Sequence, residues 1–463
     1  MRKIAFLIVF ISLWLSSYAQ EGTIGKEQMR EIKKSYNAND PATKALTNAL
    51  SNNDVMKLVL SRENLSTVDH NFTYRVNAKG ITDQKSSGRC WMFTGMNVLR
   101  PSIIEKYQLS NFDFSHNYLY FWDIFEKCNL FLEAQIKYAN LPMDDKSVDH
   151  LFRSTIGDGG VWNSFSNLAE KYGLVPEQVM PETNTSNNTH WMLKLIKRKL
   201  REDGLEIRNI ATSKTSKNAI QNAKIKMLGD IYRILCLNLG EPPAEFDYRF
   251  VDKNGKLGEY KTYTPISFMK EVLGDYDFSN YVMLMNDPSR PYFKMYEIDY
   301  DRNVMEGKNW IYLNLPSDDI KKFAIESIKN NEAMYASCDV NKQINKDLGY
   351  SDIYNYDFES LYGVEFGMNK AQRIKTYDSG STHAMTLIAV DLKDDKPVKW
   401  QFENSWGASA GHNGYLTFTD KWFDEYMFRV VINKKYIDAK TLEYLNQKPI
   451  VLPPWDPMFR EDY

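Results

Sequence analysis

The texture of the chain changes once along its length, and that change limits the folds open to it. Up to about residue 250 the apolar residues recur at helical spacing, and beyond it they gather in short runs divided by turns. Helical segments are expected at 42–60, from Cys90 onward, through 112–142, at Val161–Tyr172 and across 188–240. Strands are expected at Tyr248–Val251, Ile311–Leu315, Ala333–Cys338, Met385–Asp391, Val398–Glu403, Gly414–Phe418 and Phe428–Ile432. Helices followed by strands imply an α+β architecture, not an alternating βαβ one. Leu387–Val390 is a continuous apolar run, the pattern of a strand buried on both faces. Pro101 interrupts the helical pattern that begins at Cys90 and predicts a kink or break. Gly95 in the same helix predicts close approach of another element.

The N-terminus is a separate signal. Arg2 and Lys3 precede an apolar run from Ile4 to Leu15, and Ser17-Tyr18-Ala19 follows as a small-x-small site. This is the pattern of a secretory signal peptide over residues 1–19, and it predicts an exported chain, periplasmic or secreted, beginning at Gln20. No second long apolar segment occurs, so no membrane association is expected after cleavage. The net charge of −2 gives no global drive toward nucleic acid. One stretch, Lys194–Arg233, holds 11 Lys or Arg against 4 Asp or Glu. It is read as the solvated face of surface helices, with an anion- or nucleic-acid-binding ring as the alternative. Cys90, Cys128, Cys236 and Cys338 are far apart and form no CxxC pair. No metal site or cofactor is expected, and all four thiols are expected free, with three of them buried.

Three short motifs carry chemistry. The first is Gln84-Lys85-Ser86-Ser87-Gly88-Arg89-Cys90-Trp91. A cysteine at the first turn of a helix sits among unbonded N–H groups that favour a thiolate, and with a paired histidine the thiol pKa is expected to fall toward roughly 3–4. The Gln84 side-chain amide and the Cys90 N–H are candidate donors for a developing oxyanion. The second motif is Thr382-His383-Ala384-Met385, where His383 opens a strand. The third is Glu403-Asn404-Ser405-Trp406-Gly407, where Asn404 ends one. An asparagine oxygen can accept from one ring nitrogen of His383 and leave the other facing the thiol, with Trp406 as a roof over that bond. Taken together, Cys90 as nucleophile, His383 as base and Asn404 as its orienter predict a cysteine peptidase.

This order of motifs resembles the papain superfamily, and the octapeptide around Cys90 resembles its bleomycin hydrolase and aminopeptidase C branch. Cys338-Asp339-Val340, Gly411-His412-Asn413-Gly414-Tyr415 and Leu452-Pro453-Pro454-Trp455-Asp456-Pro457-Met458 match the same branch. The resemblance runs from about residue 65 to the end. It implies a papain-like two-lobe fold, with a helical lobe at 66–180, a helical and hook-like insertion at 181–330 and a β-rich lobe at 331–448. An N-terminal arm at 20–65 and a C-terminal arm at 449–463, lying in the cleft, complete the expected layout. It also implies a homo-hexamer acting on peptide substrates as an aminopeptidase. The Tyr463 carboxylate would hold the substrate amine, Gly159 and Gly160 would present backbone to the substrate, and Trp406 is counted with them among the substrate-binding residues. A papain-like endopeptidase is the alternative.

Overall fold

The structure, a computed structural model, describes residues 22–213 and 216–459. Two compact units emerge. The smaller is Met1–Leu60 with Asp357–Val364, described from residue 22. Its helices Lys26–Lys33 and Pro41–Asn52 bury no residue. The second of these starts cleanly, because the Asp40 carboxylate accepts from the Thr43 N–H and Pro41 fills the first helical position. The expected signal peptide, residues 1–19, lies outside the described residues. No helix among the described residues is long and apolar enough to cross a membrane.

The larger unit has two hydrophobic cores, one centred on helices and one on a sheet. In the helical core, Cys90–Lys106 is buried along nearly its whole length. It runs through Pro101 without ending, so of the kink or break expected there the break does not occur. Proline removes the N–H that would bond one turn back and crowds the carbonyl there, and burial of Leu99, Arg100, Ile103 and Ile104 around it offsets that cost. Gly95 allows the close approach expected of it, since a Cβ there would lie 2.6 Å from the Phe165 ring on helix Trp162–Tyr172. The basic stretch forms helices His190–Thr212 and Lys217–Leu239. Met227, Ile231, Leu235 and Leu239 make a buried stripe at four-residue spacing, which leaves most of the lysines and arginines toward the opposite faces, while Arg208 and Lys224 are buried and bond to the Tyr138 carbonyl and the Glu133 carboxylate.

The second core lies on a twelve-stranded sheet. At its centre His383–Lys393 pairs antiparallel with Met334–Cys338 on one side and Lys396–Glu403 on the other. Residues 383–390 are all buried, as the continuous apolar run predicts. Asp394 and Asp395 both take positive φ, 52° and 59°, and close the hairpin between the two strands that carry catalytic candidates. The register places Thr386 opposite Glu403 and His383 opposite Cys338. Strands Tyr281–Met285, Lys294–Ile298 and Ile311–Asn314 come from the range read as insertion, yet they extend this same sheet. The expected strand at 248–251 is instead Phe246–Tyr248, paired with Lys261–Tyr263 in a separate two-stranded ribbon. At the sheet's edge Ile450–Leu452, expected only as an extended arm, pairs parallel to Lys294–Ile298. The order of helices then sheet gives the α+β class expected.

Candidate active site

Cys90 is the first residue of its helix. The turn before it is pinned at each residue. Arg89 is fully buried, and its guanidinium grips the Glu182 carboxylate with two bonds of 3.0 Å. The Gly88 N–H donates to the Asp158 carboxylate at 2.6 Å, and a Cβ on Gly88 would lie 2.4 Å from that same group. Trp91 donates from its indole Nε1 to the Asp158 carbonyl at 2.8 Å. Gln84 is held at three points: its N–H donates to the Ser405 carbonyl at 2.8 Å, its Nε2 to the Ser87 carbonyl at 2.6 Å, and its Oε1 accepts from Ser405 Oγ at 2.6 Å. A carboxamide nitrogen carries two hydrogens, so one Gln84 N–H remains beyond the bond to Ser87.

On the sheet side, His383 opens its strand and Asn404 directly follows Lys396–Glu403. The Nε2 of His383 lies 2.8 Å from Asn404 Oδ1, and in the tautomer that satisfies both groups the ring donates. Asn404 Oδ1 also accepts the Ser405 N–H at 2.8 Å, and the Asn404 N–H donates to the Gly414 carbonyl at 3.1 Å. The Trp406 ring sits on the imidazole with centroids 4.9 Å apart and planes tilted by 30°. The two sides meet where the Ala384 N–H points at Cys90 Sγ, 3.5 Å away. The thiol therefore lies against the His383–Ala384 peptide, with Nδ1 as the imidazole nitrogen not used by Asn404.

Burial dominates the electrostatics. It pushes the Cys90 thiol up, to about 11, against the N–H groups of Ala384, Trp91 and Cys90 that favour the thiolate. The Asp158 carboxylate adds to the upward shift. Burial also holds His383 down, to about 4, although the bond to Asn404 opposes this. The lowered thiol expected from the helix position is thus not what the site gives a lone thiolate. A single charge in this enclosed place is costly whether it sits on sulfur or on nitrogen. Moving one proton from Cys90 to His383 instead creates two opposite charges side by side, and each lowers the cost of the other.

A cavity of about 1010 Å³ opens over this arrangement. Cys90, His383, Gln84, Gly159 and Gly160 line it together. Asn404 is buried behind the imidazole, and Trp406 covers the His–Asn bond, so neither is among the lining residues. The two glycines differ. A Cβ on Gly160 would lie 2.6 Å from the Trp91 indole, whereas one on Gly159 would meet nothing within 4 Å. Gly160 is therefore needed for packing against the residue after the nucleophile. Residues Val451–Trp455 of the C-terminal arm form another wall of the same cavity. Tyr463 lies outside the described residues.

Sequence reasoning passed over the groups that hold the Gly159–Gly160 rim. Lys127 donates to the carbonyls of Gly157 at 2.9 Å and Gly159 at 2.6 Å, and to the Asp123 carboxylate at 2.7 Å. Asp123 is buried and takes a further bond from Asn303 Nδ2 at 2.9 Å. The four-residue spacing of Asp123 and Lys127 on one helix was the available signal. All four cysteines are free; Cys128 and Cys338 are buried, while Cys236 is half-buried and not enclosed as expected. Among the described residues no cluster of His, Cys, Asp and Glu is arranged to hold a metal.

The sequence and fold have known relatives. The sequence matches the peptidase C1-like family over residues 23–459. Bleomycin hydrolase of Rattus norvegicus is 39% identical over 431 residues, which cover 90% of this chain and 95% of that protein. Aminopeptidase C of Lactobacillus delbrueckii subsp. lactis is 36% identical over 423 residues, covering 90% of this chain and 94% of its own. The crystal structure of PepW from Lactobacillus rhamnosis superposes with a TM-score of 0.91 at 36% identity, over 94% of this chain and 99% of that one. With a match across nearly the whole sequence, the chain belongs to the peptidase C1-like family.

Proposed function

We propose that this chain is a cysteine-type aminopeptidase acting on peptides with a free N-terminus. The observation that carries the chemistry is the 2.8 Å bond from His383 to Asn404, made beside a thiol at the first turn of a helix. In this reading His383 Nδ1 takes the Cys90 proton, and the thiolate attacks the scissile carbonyl. The remaining Gln84 N–H and the Cys90 N–H receive the oxyanion. The imidazolium gives its proton to the departing amine, leaving an acyl-enzyme. Water, deprotonated by His383, then releases the acid and restores the thiol. Asn404 keeps the imidazole aimed throughout, and Trp406 keeps solvent from the bond that does so.

Support for the aminopeptidase mode comes from the arm and from relatives that bear that name. Val451–Trp455 walls the cavity that Cys90 opens into, which favours a cleft closed at one end. The Tyr463 carboxylate, a few residues further on, is the proposed partner for the substrate ammonium. Export after cleavage behind Ala19 and assembly as a homo-hexamer complete the reading, on the sequence pattern and the resemblance respectively. Matched free-amine and N-blocked peptides presented to the mature protein test it. Preferential hydrolysis of the free-amine series is expected. Equal hydrolysis of internal bonds in blocked peptides would favour the endopeptidase reading.

A further inference from the structure

The groups proposed for catalysis come from elements far apart in sequence, and one buried ion pair bridges them. Arg100 lies on the helix that begins at Cys90, about three turns along. Its guanidinium meets the carboxylate of Glu403, the residue directly before Asn404, and the two side chains are 1% and 0% exposed. The same guanidinium donates to the Gly80 carbonyl at 3.0 Å, to Asn97 Oδ1 at 2.9 Å and to the Asp113 carboxylate at 3.0 Å. Asn97 in turn donates to Thr82 Oγ1 at 3.0 Å, and the Thr82 carbonyl accepts the Gly407 N–H at 3.0 Å. One side chain thus ties the nucleophile's helix to the end of the Asn404 strand and to the 80–82 segment that leads into Gln84.

Stability alone does not explain such a pair, since apolar side chains of similar volume usually serve as well in a core. Here the cost is visible. Glu403 Oε2 is buried with no hydrogen-bond partner among the described residues, and burial pushes the carboxyl up, to about 7, against the pull of Arg100. What a guanidinium–carboxylate contact supplies is direction, because its planar donors fix the angle as well as the distance. Direction matters most where small displacements are costly to the chemistry. Glu403 stands opposite Thr386, on the strand that His383 begins, so a shift at Glu403 would move both members of the His–Asn pair.

We propose that Arg100 and Glu403 are positioning residues that hold the His383–Asn404 pair in register with Cys90, and that they act on turnover and not on substrate binding. The proposal rests on the reading of Cys90 as nucleophile. Asp113 provides the internal control: it contacts the same guanidinium but adjoins none of the catalytic candidates.

The test compares wild type with Glu403→Gln, Arg100→Lys and Asp113→Asn. It measures kcat per titratable Cys90 thiol, KM for a free-amine dipeptide amide, and the pH dependence of Cys90 alkylation by iodoacetamide. Glu403→Gln should lower kcat per site by roughly tenfold with KM within about twofold, and should change the alkylation profile. Arg100→Lys, which keeps the charge but not the fork, should fall between it and wild type. Asp113→Asn should keep the wild-type kcat and profile whatever it does to thermal stability. Counting only titratable sites keeps the result readable if a variant folds poorly, and Arg100→Lys is the milder probe if Glu403→Gln yields no folded protein. The proposal is overturned if Glu403→Gln and Arg100→Lys match wild type per site, or if Asp113→Asn loses as much as they do. Wild type that alkylates at Cys90 yet cleaves no peptide would instead defeat the functional reading beneath it.

Discussion

The helix Cys90–Lys106 and the strand pair His383–Lys393 and Lys396–Glu403 deliver their groups to one cavity by different means. The helix side is local. Cys90, its turn and its supporting residues Gln84, Gly88 and Arg89 fall within a few positions of one another, and the unbonded N–H groups come free with any helix start. The sheet side is assembled at a distance. His383 and Asn404 meet only because a hairpin and a register bring two strand ends together. A group supplied locally should fail most steeply at its own atom, although Asp158 and Glu182 brace its turn from a distance. An assembled one should lose activity in grades, according to how far each change disturbs alignment.

The sharpest break in that comparison is at the reacting atoms. Cys90→Ala should remove turnover by at least roughly a thousandfold while leaving the fold intact, whereas Cys128→Ala, Cys236→Ala and Cys338→Ala should keep most activity. Cys338 is the informative control, because it lies directly opposite His383 in the sheet and is as buried as any residue nearby. On the sheet side His383→Ala should approach the Cys90 loss. Asn404→Ala should cost less, on the order of ten- to a hundredfold, since it frees the ring to rotate without removing the base. Equal losses for Asn404→Ala and Cys90→Ala in steady-state kinetics would erase the distinction between the two sides.

At the far wall the effect should be well below the Cys90 loss and similar in size to that at Asn404. Deleting Phe459–Tyr463 should shift the preference for free over blocked amines by roughly thirty- to a hundredfold, the equivalent of about 2–3 kcal/mol. An unchanged ratio would make the arm a surface feature only. The rim glycines should separate as well. Gly160→Ala, which drives a methyl into Trp91, should lower stability by about 1–3 kcal/mol in chemical denaturation, and Gly159→Ala should be close to neutral.

The smallest effect concerns acid. Burial holds His383 at about 4 against an ordinary 6.5, so between those values an unfolded chain binds a proton there that the folded chain refuses. Its contribution to stability is full above pH 6.5 and is lost as pH falls toward 4. His116, also held down by burial, adds in the same sense. Relative to wild type, His383→Asn should show a shallower fall in thermal midpoint across that window, by roughly a few degrees.

The same contrast explains what the sequence revealed. Cys90, with Gln84 and Trp91 around it, was legible because its chemistry is written in adjacent residues. His383 and Asn404 were legible because one opens and the other directly follows a run whose pattern is strand-like by itself. Arg100 and Glu403 were not, since nothing local marks an arginine on one helix as the partner of a glutamate three hundred positions away. Tyr281–Met285 and Lys294–Ile298 escaped notice because short strands at the side of a sheet owe their state to their neighbours. At Pro101 the helix does not break because a propensity is a local cost, and Leu99, Arg100, Ile103 and Ile104 around it are buried. Gly160 was recognised as necessary, but for contact with substrate, whereas its indole neighbour is the first constraint on it.

Alkylation of the thiols tests the central claim most directly. Limited treatment of the active protein with iodoacetamide, followed by peptide mapping, relates the site modified to the activity lost. Loss of peptidase activity should follow modification of Cys90 one for one, a competing peptide should slow both together, and half-buried Cys236 should react without consequence. Full activity with Cys90 carboxamidomethylated would contradict that claim.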